Sequence, residues 1–230
     1  MQDLNRREFV GMSFLALTAL SLAACGNQGS AASTATSAGS GSGTSTEAGH
    51  ITSSGTLTTP YDEGYNTGKH HATIKVKSFG TIKLELDADT APITVSNFAH
   101  LVNAKFYDGL TFHRIIPDFM IQGGDPNGDG SGGSDVNVLG EFSANGKKND
   151  IKHVRGVVSM ARSSANNSGS SQFFIVHKDS SHLDGQYAAF GHVTEGMDVV
   201  DKIAAVPTSG DNGAVAKKDQ PVIESIRMDD

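Results

Sequence analysis

The sequence predicts an all-β domain of short strands that closes, or nearly closes, on itself and carries two isolated helices. Two patterns and one absence predict it. Apolar and polar residues alternate in several short runs, as strands with one buried face require. Two segments instead repeat apolar residues at helical spacing. No internal repeat is found.

In chain order, residues 73–77 and 81–86 read as a hairpin about a Ser78-Phe79-Gly80 turn. Asp89-Thr90-Ala91-Pro92 offers a helix cap and an early-turn proline. Val95, Phe98 and Val102 then recur on one helical face through Lys105, and Gly109 ends the segment. Residues 112–122 read as one strand, and 156–161, 172–176 and 188–193 as further short ones. A second helix is predicted over 195–204, capped by Thr194, with Met197, Val200 and Ala204 on one face. Residues 222–228 close the chain as a strand.

Length and composition divide the chain into three parts: a signal peptide at 1–24, a lipid-anchored flexible linker at 25–68 and a globular domain at 69–230. The domain's roughly 160 residues suffice for one well-buried core. The net charge of −7 excludes the basic face that a nucleic-acid binder needs. Cys25 is the single cysteine, so no internal disulfide can form.

Arg6-Arg7 precedes an uncharged apolar run from residue 10 to 24. About 15 residues is short for a membrane span, which needs about 20, and suits a signal-peptide core. Leu22-Ala23-Ala24-Cys25-Gly26 resembles a bacterial lipobox, in which the cysteine becomes the lipid-bearing first residue. Asn5-Arg6-Arg7-Glu8-Phe9 resembles a twin-arginine export signal, although two arginines also serve the general route. The expected location is the extracytoplasmic face of the cell membrane, held by the lipid on Cys25. Residues 29–46 contain only Gly, Ser, Ala and Thr, which bury too little apolar surface to offset the entropy of ordering.

The chemistry concentrates in residues 112–125, Phe-His-Arg-Ile-Ile-Pro-Asp-Phe-Met-Ile-Gln-Gly-Gly-Asp. One permanent cation, Arg114, lies a few residues from apolar Phe119 and Met120 and the amide of Gln122. Ser171-Gln172-Phe173-Phe174 and His182-Leu183-Asp184-Gly185 follow. Together, from about residue 71 to 226, these motifs resemble the cyclophilin family of peptidyl-prolyl cis-trans isomerases. The resemblance implies an eight-stranded antiparallel barrel, closed, with a helix over each end. It also implies isomerase activity on X-Pro bonds of exported proteins, by a monomer that needs no cofactor or metal and binds proline-containing polypeptides.

The resemblance assigns roles residue by residue. Arg114 is the expected catalytic arginine and Gln122 the amide that positions it. Phe119, Met120, Phe174 and Leu183 form the expected proline pocket, with Tyr187 at its rim. Ala161, Arg162, Ser163 and Gln172 line the groove for residues before the proline. Two positions depart from the pattern. His182 stands where cyclosporin-sensitive members carry Trp, and Arg162 replaces a smaller polar residue. A binding module for proline-bearing segments, with turnover incidental, and a general holdase stand as rival readings.

Other motifs carry less. Residues 128–133 satisfy a dinucleotide-type glycine pattern, but neither helix nor βαβ unit follows. Residues 125–130 imitate the start of a calcium loop, yet Val136 stands where its bidentate glutamate belongs. His70-His71 lacks nearby cysteine or carboxylate in the sequence, and no Gly-x-Ser-x-Gly elbow exists. His113 adjoins Arg114 but faces the other way in a strand, which suits a structural role.

Overall fold

The computed structural model describes residues 51–209 and 212–230, so the export signal, Cys25 and residues 29–46 lie outside the described residues. The elements run β1 (Thr56–Leu57), β2 (Lys69–Val76), β3 (Gly80–Asp87), α1 (Pro92–Asn103), β4 (Thr111–Ile116), β5 (Met120–Asp125) and β6 (Asn137–Val138). They continue with β7 (Val157–Met160), β8 (Phe173–Val176), β9 (Ala189–Glu195), α2 (Met197–Ala204) and β10 (Ile223–Met228).

Eight strands form one antiparallel sheet in the order β10-β2-β3-β9-β7-β8-β5-β4. The expected closed barrel is here a curled sheet with two edges. The edge strands β4 and β10 meet at one end, through the Thr111–Val222 bridge and the bonds Gly109 N–H to Ile223 O (2.8 Å) and Phe112 N–H to Pro221 O (2.9 Å). No continuous ladder joins them, because Arg114 instead bridges to Ala214.

The hairpin of β2 and β3 turns at Ser78, whose φ of 65° is left-handed. Its inward side chains Ile74, Ile82, Leu84 and Leu86 are fully buried. α1 sends Phe98 into the same core, where it meets Phe173 edge-on at 5.6 Å and also touches Tyr107 and Phe190. Each such ring contributes about 1.5–3 kcal/mol by leaving water.

Four local expectations change. Residues 112–122 are a hairpin, not one strand: β4 and β5 pair antiparallel about Pro117, which has no N–H to give, and Asp118, whose φ is 60°. Asp89 and Thr90 do not cap α1. Asp89 binds Gly68 N–H and Thr90 binds Asp87, while the distant Glu141 accepts from Ile93 N–H (3.1 Å), Thr94 N–H (2.8 Å) and Thr94 Oγ1 (2.7 Å). Thr194 does not cap α2, since β9 runs to Glu195 and Gly196 (φ 94°) makes the turn. Packed structure also begins well before residue 69. β1 pairs in parallel with β6, Leu57 is fully buried, and Tyr61 stacks on His100 at 4.3 Å. Leu57 and Tyr61 supply the apolar area that residues 29–46 lack.

Glu141 is buried, which raises its pKa, but its bonds to Thr94 and Ile93 favour the carboxylate. Glu141→Ala leaves two buried helix N–H groups unsatisfied, at about 1–3 kcal/mol each. It should therefore lower unfolding free energy by about 2–4 kcal/mol in urea titrations; an unchanged midpoint would show that α1 does not depend on this carboxylate.

Candidate active site

Strand register assembles the site. Arg114 on β4 pairs with Gln122 on β5, Gln122 with Phe174 on β8, and Phe174 with Ser159 on β7. Directly paired residues share a face, so these four side chains stand in one row across four strands. The alternate row, Ile115, Ile121, Ile175 and Val158, faces the core and is fully buried.

Arg114 is fixed from two sides. Its Nε donates to Asn212 O (2.9 Å) and one terminal nitrogen to Asn212 Oδ1 (2.8 Å). The other terminal nitrogen donates to Gln122 Oε1 (3.2 Å) and lies 4.0 Å from Met120 Sδ. Gln122 Nε2 donates to Gln172 Oε1 (2.8 Å), and Gln172 Nε2 donates to the carbonyls of Gly132 (2.7 Å) and Gly130 (3.1 Å). Burial lowers the Arg114 pKa to about 10, with Tyr187 opposing, so the group stays cationic at neutral pH. Asn212 was not legible in the sequence: it sits in a stretch without periodicity.

The apolar side is equally ordered. Met120 and Phe174 are fully buried and Leu183 nearly so, in the 3-10 turn Ser181–Leu183. Phe174 meets Tyr187 edge-on at 5.8 Å, and its other face stacks on His153 at 6.1 Å. His153 itself is held by Asp184 Oδ1 (3.2 Å from Nδ1) and Ser159 Oγ (3.1 Å from Nε2). Asp184 also accepts from His153 N–H (2.8 Å), so the motif after Leu183 braces the wall behind Phe174. Neither His153 nor Ser159 was singled out in the sequence, where a lone His gives no signal.

Phe119 lies on the β4–β5 turn, against the His182 ring at 5.4 Å. The turn is strapped down by His177. Asp118 N–H donates to His177 Nδ1 (3.0 Å), His177 N–H donates to Phe119 O (2.8 Å), and His177 Nε2 reaches Asp201 on α2 (3.2 Å). The Nδ1 atom accepts, so Nε2 carries the proton.

Ala161 is buried and its N–H donates to Gln172 O (2.9 Å). Arg162 lies over the Tyr187 ring, its central carbon 4.7 Å from the centroid. Ser163 is drawn away into its own loop, bonded to Ser168 Oγ. The imitation calcium loop spends its first carboxylate on the backbone: Asp125 accepts from Asn127, Asp129 and Gly130 N–H. Among the described residues no three His, Cys, Asp or Glu side chains are grouped to hold a metal ion.

His113 occupies the irregularity between Phe112 and Arg114 in the β4–β5 ladder and is buried. Neither ring nitrogen is hydrogen-bonded, although Gln172 lies beside it without a well-formed bond. Burial lowers the pKa of both His113 and His153, with nearby aspartates opposing. Below the usual 6.5 the unfolded chain thus binds protons that the folded one resists. Unfolding free energy should fall as pH drops from there, by at most about 1.4 kcal/mol per pH unit for each histidine. Urea titrations at about pH 7.5 and about pH 5.5 check this, and His113→Gln should shrink the difference; parallel losses in both proteins would remove His113 from the account.

A model of the family described as cyclophilin type peptidyl-prolyl cis-trans isomerase/CLD matches residues 71–228. Peptidyl-prolyl cis-trans isomerase A of Dickeya dadantii is 45% identical over 136 residues, covering 57% of this chain and 70% of that protein. Peptidyl-prolyl cis-trans isomerase-like 1 of Neurospora crassa is 44% identical over 148 residues, 64% of this chain and 85% of that protein. Peptidyl-prolyl cis-trans isomerase-like 2 of Cryptococcus neoformans is 43% identical over 146 residues, but the match spans a quarter of that protein's length. Among solved structures, a Cryptosporidium parvum cyclophilin type isomerase crystallised in the presence of the dipeptide Ala-Pro aligns with a TM-score of 0.62 and 29% identity, over 70% of this chain and 99% of that one.

Proposed function

The chain belongs to the cyclophilin-type peptidyl-prolyl cis-trans isomerase family, and from that we propose that it catalyses rotation about X-Pro bonds, acting as a monomer on exported proteins outside the cytoplasm. The observation that carries the proposal is the fixed Arg114 guanidinium in register with Gln122 and Phe174. The Ala-Pro used with the Cryptosporidium relative supports a proline-containing peptide as substrate.

The uncatalysed barrier of about 18–20 kcal/mol comes from resonance between the amide nitrogen and the carbonyl. Twisting the bond returns the lone pair to the nitrogen. A donor aimed there binds the twisted amide better than the planar one, which is the condition for acceleration. Arg114 has that donor, and Asn212 and Gln122 hold its fork before substrate arrives. Met120, Phe174 and Leu183 are the buried apolar groups of this site, and packing of a proline ring against them would keep water from the amide. No bond to the protein forms and no proton need leave the substrate. A 10⁵-fold acceleration asks about 7 kcal/mol of the two effects together.

Arg114→Ala should lower kcat/KM on a proline tetrapeptide by about 10²- to 10³-fold, as loss of one such donor does elsewhere. Two-dimensional exchange NMR or a protease-coupled assay measures it, with circular dichroism to verify folding. A loss under about threefold would remove Arg114 from the mechanism.

The setting rests on the lipobox-like Leu22-Ala23-Ala24-Cys25-Gly26 and the apolar run before it. Cys25→Ala should abolish incorporation of labelled palmitate and shift the protein from the membrane to the soluble fraction. Unchanged membrane retention would refute the anchor.

A further inference from the structure

The arginines of this domain are not equivalent. Arg155 donates from one terminal nitrogen to both Asp201 oxygens (2.7 and 2.9 Å), and Arg227 makes a bidentate pair with Asp108 (2.7 Å each). Arg162 has no carboxylate partner among the described residues, in a chain of net charge −7. Its Nε donates to Gln186 O (3.0 Å), and one terminal nitrogen donates to Ser163 O (2.9 Å) and Ser164 O (3.3 Å). The other terminal nitrogen has no hydrogen bond among the described residues.

Arg162 is nonetheless pinned. The guanidinium carbon lies 5.0 Å from the Phe142 ring centroid and 4.7 Å from that of Tyr187. It lines a recess together with Val138, Phe142, Met160 and Ala188. A guanidinium against aromatic faces is weakly hydrated, so a carboxylate that pairs with it displaces little bound water. Because three donors are already committed, the open nitrogen needs no large loss of side-chain freedom to bind.

The position is what gives this cation meaning. Tyr187 touches Arg162 on one side and Phe174 on another, and Phe174 is in register with the Gln122 that holds Arg114. Among the described residues, Arg162 and Arg114 both place positive charge near the Tyr187 phenol. We infer that Arg162 is a specificity residue, and that the preferred substrates carry an acidic side chain immediately before or immediately after the isomerising proline. This rests on the isomerase reading above and names its substrate class.

The test compares tetrapeptides that differ by Glu or its neutral isostere Gln, placed immediately before or immediately after the proline. At low salt the wild-type protein should favour Glu in kcat/KM by about three- to tenfold at one of these positions, the size of one half-buried charge pair, with the change mainly in KM. Molar salt should erase the preference without any mutation. Arg162→Gln should bring the Glu-to-Gln ratio within about twofold, and Arg162→Lys should keep part of it. Glu-to-Gln ratios within about twofold at both positions in wild type, with Gln peptides turned over, sink the charge preference and leave the isomerase reading standing. Failure to turn over any of the peptides sinks both.

Discussion

Register across four strands is the constraint on which the site depends. Arg114, Gln122, Phe174 and Ser159 share a face only because β4, β5, β8 and β7 pair as they do. A slip of one residue at any of these ladders would turn the cation inward and expose an isoleucine or valine of the alternate row. The buried Ile115, Ile121, Ile175 and Val158 therefore do two things at once. They supply the hydrophobic drive that curls the sheet, and they forbid the pairings that would dismantle the polar row on its other side.

Behind that row the polar groups fall into two kinds. His153, Asp184 and Ser159 satisfy one another and stiffen the back of Phe174. His113 is buried with its nitrogens unsatisfied, a few ångströms from where a side chain on Gly130 would lie (3.9 Å from Nε2). The first arrangement keeps an aromatic wall at fixed depth. The second leaves a buried imidazole beside the arginine with no well-formed bond among the described residues.

Local periodicity made much of the fold legible. The β2–β3 hairpin, α1 and the strands near residues 157–160, 173–176 and 223–228 each have a pattern that one neighbour or one buried face explains. The failures have a common cause, which is action at long range. Glu141 caps α1 from about fifty positions away, and nothing in the run from Asp89 to Pro92 could reveal that. Asn212 reaches Arg114 from nearly a hundred positions away, out of a stretch without periodicity. The split of residues 112–122 into two strands was in principle visible at Pro117, since proline cannot donate within a central ladder. For the site, the ordered motifs supplied Arg114, Gln122 and Phe174, whereas the residues that hold them still became visible only in three dimensions.

His177 joins parts of the molecule that the sheet alone would leave separate. The Phe119 loop is latched through the imidazole to Asp201, and Arg155 grips the same carboxylate while donating to His177 O (2.8 Å). The outer helix and the Phe119 turn are therefore geared together. Torque applied to the helix reaches the Phe119 turn through the two ring nitrogens of His177, and any force that pries the turn outward must work against the helix as well.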